Sequence, residues 1–377
     1  MPLQGVDTQH FLDTCWQRKT TVLRAALADF VCPIDGDDLA GLACEEDVDS
    51  RLIVQEGQEW LLRHGPFGDA DFGELPADKW TLLVQSVDQW IPEIASLLAD
   101  FRFIPRWRID DIMVSYASHG GSVGPHFDQY DVFLIQGSGQ RRWKLGQHCD
   151  DSSPVMNHPD LRLLRDFDEQ EEVVLSPGDI LYIPPGVAHW GIAEGDDCIT
   201  LSVGFRAPSE AELLNSWSAD RETVLDDSER FRDLPLRADA HSARLPTELA
   251  GQLREILTRG LEDDQALLGW FGKMMTEVNP AQLFSNDPLT AAEFSEHLNT
   301  FPLSLRPGCR LAFDDHQLFI DGLAYPYPAD YRDVISQFCL CEGEIPGGLL
   351  AALPTQLLHN LYQAGSVYFD DDSNSEY

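Results

Sequence analysis

Between Ile109 and Phe205 the chain runs in short apolar segments, several of them alternating apolar and polar residues. Ile112-Met113-Val114-Ser115-Tyr116, Gln140–Leu145, Glu171–Leu175, Ile180–Ile183 and Cys198–Val203 have strand length and are rich in β-branched and aromatic residues. Gly137-Ser138-Gly139 and Ser176-Pro177-Gly178-Asp179 supply turn chemistry between them. Strands of this length at this spacing predict an antiparallel double sheet, a jelly roll. A helical pattern at Phe11–Trp16 and mixed α and β segments precede it, so residues 1–207 read as one domain.

After Pro208 the period becomes helical. Ser209 and Glu212 form a capping-box pattern for a helix from Ala211 to about Leu225. A second helical stretch starts at Thr247-Glu248 and runs to Met275 with a break near Gly260. Leu249, Leu253, Ile256, Leu257, Leu261, Leu267 and Leu268 make a stripe wide enough to pack on another helix. Residues 208–275 are therefore either an intrachain bridge or a homodimer interface. The last part, 276–377, places a helix at Thr290–Leu298 before two strands, Arg310–Phe313 and Gln317–Ile320, joined by Asp314-Asp315-His316. More helices follow up to Gln363, an order that looks like a winged helix. The fold class is thus α+β: a jelly roll, a helical block and a winged-helix-like C-terminal domain.

Charge changes how that last part reads. The chain of 377 residues has a formal net charge of −38, and Thr276–Tyr377 carries three basic residues (Arg306, Arg310, Arg332) against fifteen acidic ones. Such a surface repels phosphates, so no direct DNA binding is expected; it would attract a strongly basic partner, and a salt-tolerant host with generally acidic proteins would give the same charge. No apolar run reaches membrane-spanning length, and the N-terminus lacks a secretory pattern. Eight cysteines without a CxxC pair read as reduced thiols of a cytoplasmic protein.

The candidate chemistry sits in Gly124–Gly137, GPHFDQYDVFLIQG, which reads as a buried strand. Residues two apart on a strand share a face, so His126 and Asp128 point the same way. A buried carboxylate costs several kcal/mol unless it is paired or bound to a metal. His189, after the strand Asp179–Ile183 in IPPGVAHW, supplies a third donor. Two histidines and a carboxylate make the facial triad typical of non-haem Fe(II) oxygenases, with positions left for a cosubstrate and O2. Arg141, on the next strand, shares a face with Trp143 and can clamp the far carboxylate of 2-oxoglutarate, with Ser115 adding a hydroxyl.

GPHFDQYDVFLIQG, QRRWKLG and PGDILYIPPGVAHWGIA together resemble the JmjC/cupin-type ribosomal oxygenases, specifically the bacterial ribosomal-protein arginine hydroxylases. The similarity extends to WRIDDIMVSY, VGFRAP and HGPFG and covers at least the first 207 residues; the later parts match the family's domain order. The resemblance implies His126, Asp128 and His189 as iron ligands, Arg141 with Ser115 as the 2-oxoglutarate site, and a dimer formed through the helical block. It further implies hydroxylation at Cβ of an arginine of large-subunit ribosomal protein sixteen. Related eukaryotic enzymes carry lysine where this chain has Arg141, which favours the bacterial subgroup. Two other readings share the sequence: a demethylase of methylated lysine or arginine, and a non-catalytic metal-binding cupin serving as an assembly module. Arg141 separates the last from the others, because a structural cupin has no use for a cosubstrate clamp.

Overall fold

The computed structural model describes residues 3–226, 228–235, 243, 245–278 and 286–370. The chain divides into two compact units: Met1–Ala207 with Asn279–Cys309 and Leu340–Tyr377, and Pro208–Val278 with Arg310–Cys339.

In the first unit, eleven strands build the part that matters for the site. They are β1 (Thr21–Leu23), β2 (Ser50–Glu56), β3 (Glu59–His64), β4 (Trp80–Val84), β5 (Ile109–Ala117), β6 (Val132–Ser138), β7 (Arg141–His148), β8 (Glu171–Leu175), β9 (Ile180–Ile183), β10 (Val187–Ala193) and β11 (Cys198–Phe205). Eight of them form a sheet in the order β1-β9-β6-β11-β5-β4-β2-β3, and the other three form a sheet β10-β7-β8. Val132, Leu134, Leu181 and Ile183 of the large sheet pack against Trp143, Leu145 and Leu175 of the small one, which closes the predicted jelly roll.

Alternation along β5 shows how the sequence does this. Ile112 and Val114 face a larger core shared with Phe11, Leu39, Ile94 and Phe101 from the N-terminal helices. The intervening Asp111, Met113 and Ser115 face the other way. β1 is held at the edge by Asp179, whose carboxylate accepts from Ala25 N (2.9 Å), Ser176 N (3.0 Å) and Arg24 Nη1 (2.7 Å). The turn there requires Gly178: φ is +86° and a Cβ would lie 2.5 Å from the Leu27 carbonyl oxygen. β12 (Leu303–Leu305) also belongs to this unit; it pairs with a C-terminal strand, Val367–Phe369.

The second unit holds helices Glu210–Val224, Leu249–Leu257 and Asp264–Thr276, the first opened by the predicted Ser209/Glu212 capping box. Its sheet is β13 (Leu311–Phe313), β14 (Gln317–Ile320) and β15 (Leu323–Pro326). The strands expected at Arg310–Phe313 and Gln317–Ile320 are β13 and β14, paired Leu311↔Ile320. They pack on the helix Asp264–Thr276, where Gly272 lets Phe319 approach to a distance that a Cβ would fill (2.5 Å). The helices Ala291–Leu298 and Thr355–Gln363 lie in the first unit, so the compact units interleave along the chain where the sequence reads as three consecutive parts.

Candidate metal and cosubstrate site

The strand expected across Gly124–Gly137 begins only at Val132. Gly124, at φ +82°, and Pro125 break the extended run, and His126 forms an isolated bridge to His189. Convergence is therefore set by main-chain bonds rather than by strand alternation. His126 N donates to His189 O (3.0 Å), His189 N donates back to His126 O (2.8 Å), and Gly186 N donates to Asp128 O (2.8 Å). His189 lies beyond β9, as the sequence suggests, and within a further strand, β10, whose start the turn residues Pro184-Pro185-Gly186 conceal.

The side chains meet. One donor atom from each of His126, Asp128 and His189 lies within 4.8 Å of the other two, the imidazole centroids are 4.2 Å apart, and His189 Nε2 is 3.5 Å from Asp128 Oδ2. His126 Nδ1 is 2.9 Å from Gly124 O, and His189 Nδ1 is 3.0 Å from Val187 O. A carbonyl only accepts, so both Nδ1 atoms carry the proton and both Nε2 atoms keep a lone pair for a metal. Burial, then the neighbouring His126, lowers the His189 pKa to about 4 against the pull of Asp128, so this imidazole is neutral at physiological pH. Three oxygen and imidazole donors without a thiolate suit a divalent iron-type ion with open positions.

Behind the triad the interior becomes polar. Along β7, Arg141, Trp143 and Leu145 are buried, while Arg142 pairs outward with Glu172 and Glu194 and Lys144 with Glu169. The expected register holds. Arg141 is 3% exposed; its Nε donates to Cys198 Sγ (3.4 Å), and its Nη2 has no hydrogen-bond partner. Ser115 faces Thr200, the residue two along from Cys198, and its hydroxyl reaches the Thr200 carbonyl oxygen at 3.4 Å. A buried guanidinium with an idle N–H fits a carboxylate of a dicarboxylate cosubstrate.

Three further residues join the site without having been read from the sequence. Trp143, with a buried and unpartnered indole N–H, lies 6.0 Å from the His189 ring and 5.9 Å from the Arg141 guanidinium carbon. Asp111, 5% exposed, takes bonds from Gln85 Nε2, Ser86 N and Ser86 Oγ, all on Oδ2. Burial, then the charge of Asp110, raises its pKa. Tyr130 hydrogen-bonds to Asp128 and feels the charge of Asp111. The signal for Asp111 was present: Asp111, Met113 and Ser115 alternate onto one face of β5.

A jelly roll with a His-Asp-His cluster and a buried arginine is a metal- and cosubstrate-binding cupin arrangement, and a JmjC domain model matches residues 96–213. An AraC-like ligand binding domain model overlaps it at 167–270. Ribosomal protein uL16 3-hydroxylase of Escherichia coli is 40% identical over 276 residues, covering 71% of this chain and 70% of that protein. A probable ribosomal oxygenase of Haemophilus influenzae is 41% identical over 271 residues, 70% of this chain and 66% of its own length. The solved structure of the E. coli ribosomal oxygenase YcfD in complex with cobalt and 2-oxoglutarate superimposes with a TM-score of 0.86 at 31% identity, over 98% of this chain and 99% of that one. The chain belongs to the JmjC ribosomal oxygenase family.

Proposed function

We propose that the chain is an Fe(II)- and 2-oxoglutarate-dependent dioxygenase that hydroxylates an arginine of ribosomal protein uL16 at Cβ. The observation that carries this reading is the convergence of His126, Asp128 and His189 in front of a buried Arg141 whose Nη2 is unpartnered. His126 and His189 would hold Fe(II) through Nε2 and Asp128 through a carboxylate oxygen. Arg141, with Ser115, would hold the far carboxylate of 2-oxoglutarate. When bound, the metal and cosubstrate consume O2, convert a substrate C–H to C–OH and release succinate and carbon dioxide.

The protein's own part is geometric. The backbone bridge fixes the imidazoles, Arg141 orients the cosubstrate, and the walls of the roll exclude water. Tyr130 puts a hydroxyl beside Asp128, and the charge of Asp111 reaches Tyr130, a setting suited to a guanidinium side chain. The partners proposed are a basic ribosomal protein and a second copy of the chain in the cytoplasm, with no DNA contact. Exposed Leu214, Leu257 and Leu268, at 69%, 74% and 53%, favour a dimer through the helices of 208–275.

The test is incubation of the purified enzyme, Fe(II), 2-oxoglutarate and O2 with uL16, followed by peptide mass analysis. One added oxygen on an arginine-containing peptide is expected, and His126→Ala and Asp128→Ala should abolish it while the unfolding midpoint stays close to that of the parent. An active His126→Ala enzyme would remove the metal assignment. Failure to modify any uL16 peptide, with succinate release on another protein, would remove the substrate.

A further inference from the structure

A cavity of about 410 Å³ opens on the face of the large sheet turned away from the metal site. Ser115 faces the interior of the roll, so Tyr116, its neighbour on β5, faces away from the metal site into this cavity. Its walls are Phe72, Trp80 and Tyr116, with the Trp80 and Tyr116 rings 5.4 Å apart and tilted by 30°. Asp35, Asp37 and Asp197 stand among the same lining, which includes no basic side chain. Tyr116 Oη donates to Asp197 Oδ1 at 2.7 Å, so that carboxylate is fixed against the edge of the aromatic pair. Burial, then the bond to Asp197, pushes the phenol up to about 12, which keeps the donor proton in place.

The cavity also depends on a missing side chain. A Cβ at Gly36 would fall 2.5 Å from Tyr116 Cε2, so only glycine lets the helix Gly36–Leu42 begin beside the ring. Aromatic faces next to fixed carboxylates attract a cation whose stem is apolar. Anions are repelled by this pairing, and neutral polar molecules gain a hydrogen bond without the charge or cation–π attraction. We infer that this cavity binds the guanidinium or ammonium group of a basic side chain, presented by a basic polypeptide at a point separate from the metal site. The polypeptide source follows from the −38 net charge, which draws polycations toward the whole surface. The assignment does not depend on which side chain is hydroxylated, or on whether any is.

The test uses the full chain labelled with 5-fluorotryptophan, the Trp80 resonance being assigned with Trp80→Phe. Titration with N-acetylarginine methylamide should shift that resonance, and the neutral citrulline analogue should not. An arginine- and lysine-rich decapeptide should bind at least about tenfold tighter than the single residue, and the affinity should fall with added salt. Asp37→Asn with Asp197→Asn should weaken binding at least about fivefold. Asp197 has φ +57°, a conformation that asparagine adopts readily, so the variant should fold, and an unchanged unfolding midpoint checks this. Equal shifts with the citrulline analogue, or none with any cation up to tens of millimolar, would overturn the inference. Tighter binding of free spermidine than of the decapeptide would overturn the polypeptide source.

Discussion

Arg141 and Arg142 are adjacent in sequence and opposite in surroundings. The first is 3% exposed with an idle N–H; the second spans Glu172 and Glu194 on the outer face. Losing a charged hydrogen-bond pair in a confined site typically costs about 2 to 5 kcal/mol. Arg141→Ala should therefore raise the 2-oxoglutarate dissociation constant by about thirtyfold or more. Calorimetry with an inert divalent metal reads this without turnover. Arg142→Ala removes only solvent-screened outer pairs and should leave cosubstrate binding unchanged. Equal effects from the two substitutions would mean that Arg141 does not face the cosubstrate. Trp143→Phe removes the unpartnered N–H together with part of a core ring, so the unfolding midpoint should fall, and a loss of 2-oxoglutarate affinity in the folded variant would assign this side chain to that ligand.

At the scale of elements, Asp179 joins β1 to the turn before β9. Burial alone would raise its pKa, but backbone bonds from Ala25 and Ser176 and the Arg24 guanidinium outweigh burial and hold it below the usual carboxylate range. A depressed folded-state pKa contributes stability that is present above the unfolded value of about 3.9 and is lost as the pH falls through the folded value. Asp179→Ala leaves two backbone donors without their acceptor and should cost about 1 to 3 kcal/mol near neutrality. The unfolding midpoints of parent and variant should then converge on acidification. A difference that stays constant with pH would contradict the linkage.

Elements were legible from the sequence where the signal is local. The β7 and β11 strands, the Ser209 cap and the wing strands all follow from nearby residues. What escaped was non-local: Leu303–Leu305 pairs with Val367–Phe369 across more than sixty positions, and three-residue strands carry no period of their own. The site was legible in its residue types but not in its backbone. Gly124 and Pro125 replace the expected strand, and the pairing of His126 with His189 is a tertiary bond that no spacing announces. Trp143 was visible only as a face-mate of Arg141, because an unpartnered N–H exists only in three dimensions.

For the whole molecule, a net charge of −38 sets a long-range field that salt screens. The Debye length shortens from ~10 Å at 0.1 M to ~3 Å at 1 M ionic strength. For a basic uL16 peptide, KM should rise across that range while kcat changes little, since the field acts on encounter rather than on the bound state. A neutralised peptide carrying the same target arginine should lose most of the salt dependence. Steady-state kinetics at several salt concentrations decides this; a salt-independent KM for the basic peptide would leave the acidic surface without a part in docking. The same field works against nucleic acid, and the full chain should give no salt-sensitive shift of duplex DNA.

The reciprocal N–H···O=C pair between His126 and His189 ties the two imidazole-bearing residues together through main-chain bonds to which no ion contributes. Stripping the protein with a chelator should therefore leave the exchange rates of those two amide protons almost unchanged, and reloading should be fast and reversible. Two imidazoles and a carboxylate do not by themselves select Fe(II): among divalent ions, copper, nickel and zinc bind such donors more tightly. Competition for the site is then settled by which ion the cell makes available, and exposure to excess zinc or nickel should silence the enzyme without unfolding it.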